Sequence, residues 1–71
     1  MRKFIVQIGE LGPFKTTANN ARAVVNRYLA EPDTVAIVRE SMSDTGRMML
    51  WRAGRTGLTE CIGWIMEVEE Q

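Results

Sequence analysis

Apolar positions near the start of the chain recur at every second residue, which is the spacing of a β-strand. Residues 3–8 therefore predict a first strand that carries three of its four apolar side chains on one face. Two glycines and a proline in residues 9–13 predict a turn. Residues 14–16 predict a short second strand, so the chain begins with a strand pair.

The apolar spacing then becomes helical, and residues 18–30 predict the one clear helix of the chain. Its apolar residues recur at i, i+3, i+4, i+7 and i+8 and form one stripe: Ala21, Val24, Val25, Tyr28 and Leu29. Thr16 or Thr17 is placed to cap its start, and Pro32 ends it. Its polar residues lie largely on the outer side: Asn19, Asn20, Arg22, Asn26 and Arg27.

Two further strands follow. Residues 34–42 begin with β-branched residues, and residues 47–53 return from a turn at residues 43–46. The tail, residues 58–70, fits two patterns, because its apolar residues alternate as in a strand and some also fit a helical stripe. Gly63 in its middle and its Trp, Ile and Val content favour a strand, with a helix as the alternative.

The predicted element order is ββαβββ in a single small domain that spans residues 1–71. Short connections in the second half imply an antiparallel meander. We therefore expect an α+β fold: an antiparallel sheet of four to five strands with one amphipathic helix packed on one face.

The predicted hairpin is apolar on both faces. In the first strand Val35 and Ile37 lie on one face and Ala36 and Val38 on the other. In the returning strand Met49 and Trp51 share a face with Arg47, and Met48 and Leu50 share the opposite face with Arg52. An antiparallel sheet with one face in water alternates between apolar and polar residues, and this one does not. The predicted helix is only about 20 Å long, too short to cover both faces.

Two arrangements accommodate this excess of apolar surface. The tail forms a second helix that covers the remaining face, or that face binds another chain, either a second copy or a foreign partner. The strand pattern of the tail favours the second arrangement. Flexible thioethers fill cores and also suit adaptable binding surfaces, so the methionines fit both: Met42, Met48, Met49 and Met66.

The charge balance disfavours two classes of protein. Nine basic residues stand against nine acidic residues, whereas a general nucleic-acid binder carries a basic excess and a DNA mimic an acidic one. The chain is 45% hydrophobic and 25% charged, which is usual for a folded soluble domain. It has no histidine, the usual general base and the commonest metal ligand.

The cysteine content and the N-terminus predict a cytoplasmic location. One cysteine, Cys61, rules out an internal disulfide, which indicates a reducing compartment and makes Cys61 most simply a small core residue. The apolar run after Lys3 is too short, and too soon broken by Gln7 and Gly9, for a signal peptide or a membrane span. We expect no membrane partner.

Candidate binding residues cluster on the predicted hairpin: Arg39, Arg47, Trp51, Arg52 and Arg55. Arginine forms bidentate contacts with carboxylates and phosphates, and arginine and tryptophan are both enriched at the centres of interfaces. The tryptophan can anchor an interface or stack on a base. The alternative is that solvated arginines surround a core tryptophan.

The chain carries no catalytic motif, cofactor fingerprint or metal-ligand spacing. Its scattered glutamates are not brought together by any pattern. We therefore expect no enzyme activity, no cofactor and no metal. The acidic end is interpreted as a solubilising tail, or as a partner for the hairpin arginines if the tail is a strand beside them: Glu67, Glu69 and Glu70.

The order of the elements resembles a group of very small phage-encoded proteins. The segments FKTTANNARAVVNRYL and TVAIVRESMSDTGRMMLWRAG follow a first strand and a turn. This is similar in organisation to several anti-CRISPR proteins and to short inhibitors of host RNA polymerase. The resemblance implies a stoichiometric inhibitor that blocks a host complex by occupying a functional surface. Many of those proteins are markedly acidic and this chain is neutral, which disfavours DNA mimicry.

The sequence therefore predicts a non-enzymatic protein-interaction module. Its expected partner is a protein, either a host nucleic-acid-processing complex or a second copy of the chain in a homodimer. Direct binding of nucleic acid through the hairpin arginines and Trp51 is the alternative, which steep weakening by salt would reveal. A small homodimeric structural or accessory protein is the third hypothesis.

Overall fold

A computed structural model describes residues 1–39 and 46–68 of the chain. The elements are β1 (Arg2–Ile8), β2 (Leu11–Ala18), α1 (Ala21–Tyr28), a 3-10 helix (Pro32–Thr34), β3 (Val35–Arg39), β4 (Met48–Gly54) and β5 (Gly57–Val68). The predicted α+β class and the order ββαβββ are confirmed. Most of the turn predicted at residues 43–46, together with Met42, Glu69 and Glu70, lies outside the described residues.

The five strands form one antiparallel sheet in the order β2-β1-β5-β4-β3. The last three strands form the predicted meander. β5 lies between β4 and β1, so the first and last strands of the sequence are neighbours. The chain passes from the edge strand β2 to the edge strand β3 through α1, which contacts both of them across one face of the sheet.

The tail is a strand, and a glycine fits it to its neighbours. Gly63 in β5 lies opposite Ile8 of β1 and Leu50 of β4. A Cβ atom at Gly63 would overlap the backbone carbonyl of Gln7. A residue without a side chain therefore lets β1 and β5 lie this close together.

The helix is shorter than predicted at both ends. β2 extends further than predicted along β1, so Thr16 and Thr17 lie in a strand and the prediction that one of them caps the helix is wrong. Pairing with β1 satisfies the backbone of these residues and delays the start of the helix. Asn20 is the N-cap, because its side-chain oxygen accepts a 2.8 Å hydrogen bond from the backbone N–H of Ala23.

Every strand and α1 contribute to one small core. Its buried side chains are Phe4, Val6, Ala18, Val24, Val25, Val35, Leu50 and Ile65. Burial of each larger apolar side chain stabilises the fold by about 1.5–3 kcal/mol. The helix contributes only valines and β2 only an alanine, and side chains this short allow the helix and the sheet to lie close together.

Two arginines of the predicted polar helix face fasten α1 to the neighbouring backbone. Arg22 donates to the carbonyl oxygens of Pro32 at 3.2 Å and Val35 at 3.0 Å. Arg27 donates to the carbonyl oxygen of Thr17 at 2.7 Å. This side of the helix is therefore partly a structural contact within the protein.

Tyr28 strengthens the contact between α1 and β2. Its ring packs edge-on against Phe14, with 5.1 Å between the ring centroids. Its hydroxyl shares a 2.9 Å hydrogen bond with the hydroxyl of Thr16. That hydrogen bond, followed by the one from Arg27, lowers the pKa of Tyr28 below its ordinary value.

Replacement of Gly63 by alanine should destabilise the protein by about 3 kcal/mol, because the new methyl group overlaps the backbone of β1. Gly9→Ala is the matched control. Gly9 has a positive φ of 54° but open space around it, so backbone strain alone should cost about 1 kcal/mol. Urea unfolding measures both variants. A cost for Gly63→Ala no larger than that for Gly9→Ala would contradict the close approach of β1 and β5.

The Tyr28 contact is testable by titration, because the chain has one tyrosine and its phenolate absorbance reports a single group. We expect the pKa of Tyr28 to rise in Thr16→Val, which removes the hydrogen bond that lowers it most. Since folding lowers this pKa, ionisation of Tyr28 adds stability to the folded state that is fully present above the unfolded-state pKa, and this added part disappears as the pH falls through the folded-state pKa. An unchanged pKa in Thr16→Val would rule out this cause.

Candidate interaction face

The side of the sheet away from α1 carries an apolar surface. Ile5 is paired in register with Met66, and Met49 with Trp64. Residues paired across antiparallel strands project to the same side of a sheet. Trp51 projects to this side too, since it follows Met49 by two residues on β4. We call these five residues the open face.

The described part of the protein does not enclose the open face. Each of its five side chains is partly exposed, and no helix or strand among the described residues packs over them. On the other side of the same strands, Leu50 and Ile65 are fully buried in the core beside α1. The expected sheet with two apolar faces is therefore present, and its one short helix covers only one of them.

Cationic side chains border the open face. The guanidinium of Arg47 lies over the ring of Trp64, 4.6 Å from the ring centroid. Lys15 is paired in register with Ile5 and projects to the same side. Lys3 precedes Ile5 by two residues on β1 and projects to that side as well.

The carboxylates of the described strands lie on the helix side. Glu60 is paired in register with Arg52, and Glu67 with the buried Phe4. Glu67 also forms a 3.3 Å ion pair with Arg2, an exposed contact that contributes little to stability. Within the described residues, the acidic end of β5 therefore forms its ion pair with Arg2 of β1 and not with the arginines of the predicted hairpin.

The five predicted binding residues do not form one cluster. Arg47 and Trp51 lie on the open side of the sheet. Arg39 and Arg52 lie on the helix side, because they alternate along their strands with residues of the open side. Arg55 lies in the turn between β4 and β5. The structure therefore brings together two of the five and separates the other three.

Arg52 binds atoms of the protein itself. Its guanidinium donates to the hydroxyl of Thr34 at 2.7 Å and to the carbonyl oxygen of Ala30 at 3.2 Å. These bonds hold the connection between α1 and β3 on the sheet. Arg52 thus has a structural role that is sufficient to explain its position.

Sequence reasoning missed Ile5 and Trp64 of the open face, and it named Met66 only as a methionine that suits either a core or a binding surface. They lie on the first and last strands, whose pairing no local pattern reveals. The available signal was the alternation of Trp64 and Met66 in the tail, which already favoured a strand.

Each of the two edge strands carries features that disfavour pairing with another chain over part of its length. β2 carries Pro13, which lacks a backbone N–H, and the charged Lys15. In β3, the N–H of Val35 donates to Pro32 and its carbonyl accepts from Arg22. The backbone groups of the first residue of β3 are therefore already in use.

The hairpin of β4 and β5 projects beyond the rest of the sheet. β1 pairs with β5 only from Gly63 to Val68, so residues 57–61 have β4 on one side and no described strand on the other. We call residues 53–61 the arm. All of its residues are exposed, including Leu58 at 50%.

The prediction that Cys61 is a core residue is wrong. It is an exposed free cysteine on the arm, and its thiol donates to the carbonyl oxygen of Gly63 at 3.6 Å. The reason is that Cys61 is paired with Trp51 on the side of the sheet away from α1, in the part of β5 that runs past the end of β1.

Comparison with known protein families, curated proteins and solved structures finds no match. The described residues contain no helix with the length and apolar content that crossing a membrane requires. Nor do they hold three or more His, Cys, Asp or Glu side chains grouped to bind a metal ion. The candidate surface is therefore defined by its geometry alone.

Replacement of Arg52 by alanine should lower the free energy of unfolding by about 1–2 kcal/mol, because Thr34 and Ala30 lose a charged hydrogen-bond donor. Arg55→Ala is the control, since it removes an arginine from an exposed turn and should change stability by less than about 0.5 kcal/mol. Urea unfolding compares the two. Equal effects would show that Arg52 does not hold the connection in place.

Proposed function

We propose that this protein is a non-enzymatic protein-interaction module that binds its partner through the open face. The observation that carries the proposal is an apolar sheet face with two tryptophans and two methionines that the described chain leaves partly exposed. The largest apolar patch on the surface of a soluble protein is often functional, which supports the open face as the binding site.

The residue types of the open face suit a protein partner. Trp51 and Trp64 offer large, rigid contact areas, and tryptophan dominates the binding energy of many interfaces. Met49 and Met66 add flexible side chains that adapt to the shape of a partner. Arg47, stacked on Trp64, adds a cation beside an aromatic anchor.

The size of the open face bears on the partner. It spans three strands at about 4.8 Å spacing, so its area is on the order of a few hundred Å². Each partner in a standard complex buries about 800 Å². A partner that binds here with ordinary affinity therefore also contacts surface beyond the open face.

A narrower proposal concerns the identity of the partner. The small size and the element order resemble those of small phage-encoded inhibitors, and this resemblance supports a host nucleic-acid-processing complex in the cytoplasm as the target. The exposed free thiol of Cys61 fits a reducing compartment. Arg47 and Trp51 are the predicted binding residues that this proposal retains.

A second candidate function is the binding of single-stranded nucleic acid. Its support is specific: Lys3, Lys15 and Arg47 are the charged residues that the described strands and their flanks place on the open side, beside two indole rings. Single-stranded nucleic acids bind to aromatic side chains flanked by cations. The overall neutrality of the chain favours the protein partner.

The proposed function predicts that Met49→Lys abolishes partner binding, because it places a charge within the open face, directly beside Trp64. Leu11→Lys is the matched control, since Leu11 is an apolar residue that is 69% exposed and lies outside the open face. Wild type and both variants are immobilised and incubated with bacterial lysate, and captured proteins are identified by mass spectrometry. We expect a protein captured by wild type and Leu11→Lys but not by Met49→Lys, with thermal unfolding unchanged in both variants.

Two further measurements on the purified protein separate the alternatives. Salt-dependent binding of a fluorescent oligonucleotide that is lost in Met49→Lys would favour the nucleic-acid function. A concentration-dependent dimer in sedimentation equilibrium, lost in the same variant, would favour the homodimer. Capture that Met49→Lys leaves unchanged would remove the open face as the binding site.

A further inference from the structure

The arm offers backbone hydrogen-bonding groups at the edge of a strand. Residues 58–61 of β5 pair with β4 alone, and the last contact on their other side is the hydrogen bond from the N–H of Gly9 to the carbonyl of Ile62, at 2.9 Å. Past that bond, β5 has N–H and carbonyl groups that point away from β4, with one interruption where the register shifts between Arg52 and Ala53. No described strand pairs with these groups.

This edge differs from the two outer edges of the sheet. β2 carries Pro13 and Lys15, which disfavour pairing, and at the start of β3 the backbone groups of Val35 are engaged by Pro32 and Arg22. Residues 58–61 include neither a proline nor a lysine. Thr59 turns its hydroxyl inward, donating to the carbonyl oxygen of Arg52 at 3.1 Å, so it does not cap the outer edge.

We propose that the outer edge of the arm binds an extended segment of a protein partner as an added antiparallel strand. The added strand continues the line of β1 beyond its turn and pairs with residues 58–61. This contact lies outside the open face. It rests on the proposed function for one point, which is that the partner is a protein. It supplies the additional surface that the small area of the open face requires.

The side chains of the arm define the chemistry of the segment. Leu58 and Cys61 are paired in register with Ala53 and Trp51 and project to the open side. Glu60 projects to the helix side, and its register partner Arg52 is bonded to Thr34 and Ala30.

A strand beside these residues gains most from apolar side chains on the open side and a cation on the helix side. The segment that fits is therefore apolar at alternate positions, with arginine or lysine between them.

Cys61 provides the test, because it is the single cysteine of the chain and lies on this edge. The probes are blocked peptides of alternating valine and arginine in which one residue is replaced by cysteine, supplied as the mixed disulfide with 2-mercaptoethanol. The Cys61 thiolate attacks the peptide sulfur, a protein–peptide disulfide forms, and 2-mercaptoethanol leaves with the electron pair. The reaction is an exchange with no net oxidation, and intact-protein mass spectrometry reads the conjugated fraction.

Strand addition predicts that the position of the peptide cysteine decides the yield. Peptides with cysteine at a valine position should conjugate at least about tenfold better than peptides with cysteine at an arginine position, because only the former share a side of the sheet with Cys61. N-methylation of alternate peptide amides, on the edge that faces β5, should remove the advantage. Equal conjugation by all peptides would overturn the proposal.

A charge exchange tests the chemistry independently. Glu60→Lys should lower conjugation of the arginine peptides and raise conjugation of peptides in which glutamate replaces each arginine. Glu67→Lys is the control, because Glu67 lies elsewhere on the same side of β5, and it should change neither yield. An equal effect of both variants would overturn the assignment of a cation to the segment. Because these probes are synthetic, their failure is distinct from a failure of Met49→Lys to abolish capture by the open face.

Discussion

The structure depends on the placement of β5 between β1 and β4. This strand joins the N-terminal strand pair to the C-terminal meander, and its register with β1 relies on Gly63, where a side chain would overlap the backbone of Gln7. Because side chains alternate along a strand, the same register decides both faces of the sheet at once. It buries Ile65 in the core and places Trp64 and Met66 on the opposite side. Core and candidate interaction surface are thus two consequences of one pairing.

The packing of the short helix and the structural roles of three arginines follow from this sheet. A helix of eight residues packs through its valines, and the polar bonds that fix it come from Arg22, Arg27 and Arg52. These three side chains bind carbonyl and hydroxyl oxygens of the protein itself, so they serve the fold first. The described groups that remain for a partner are mostly indole, thioether and aliphatic. This composition is why a protein partner is favoured over nucleic acid, in spite of the cations that border the open face.

The open face and the arm adjoin each other on the surface of the protein. Trp51 on the open face is followed along β4 by the arm, whose outer edge bears backbone groups that no described strand uses. On the outer strands, a proline and a lysine disfavour pairing at β2, and the first residue of β3 has its backbone groups engaged within the protein. A partner that covers the open face and adds a strand at the arm would bury one connected surface. That arrangement reconciles the small area of the apolar patch with the area that a specific complex needs.

Local sequence patterns were sufficient to predict the strands, the helix and a second apolar face of the sheet. Alternation predicted the strands, the 3.6-residue spacing predicted α1, and the doubly apolar hairpin indicated that one helix does not suffice, because each of these signals lies within a few residues of sequence. The sequence did not reveal which strands are neighbours, since pairing of β1 with β5 joins residues about sixty positions apart. That pairing brought Ile5, Trp64 and Met66 together and left Cys61 in the part of β5 that lies beyond β1. The pairing of β2 with β1 carried β2 past Thr17 and moved the helix cap to Asn20. Alternation along β4 and its flank is enough to place Arg47 and Arg52 on opposite faces, but only the assembled sheet decided which of those faces α1 covers, because register is a property of the paired strands.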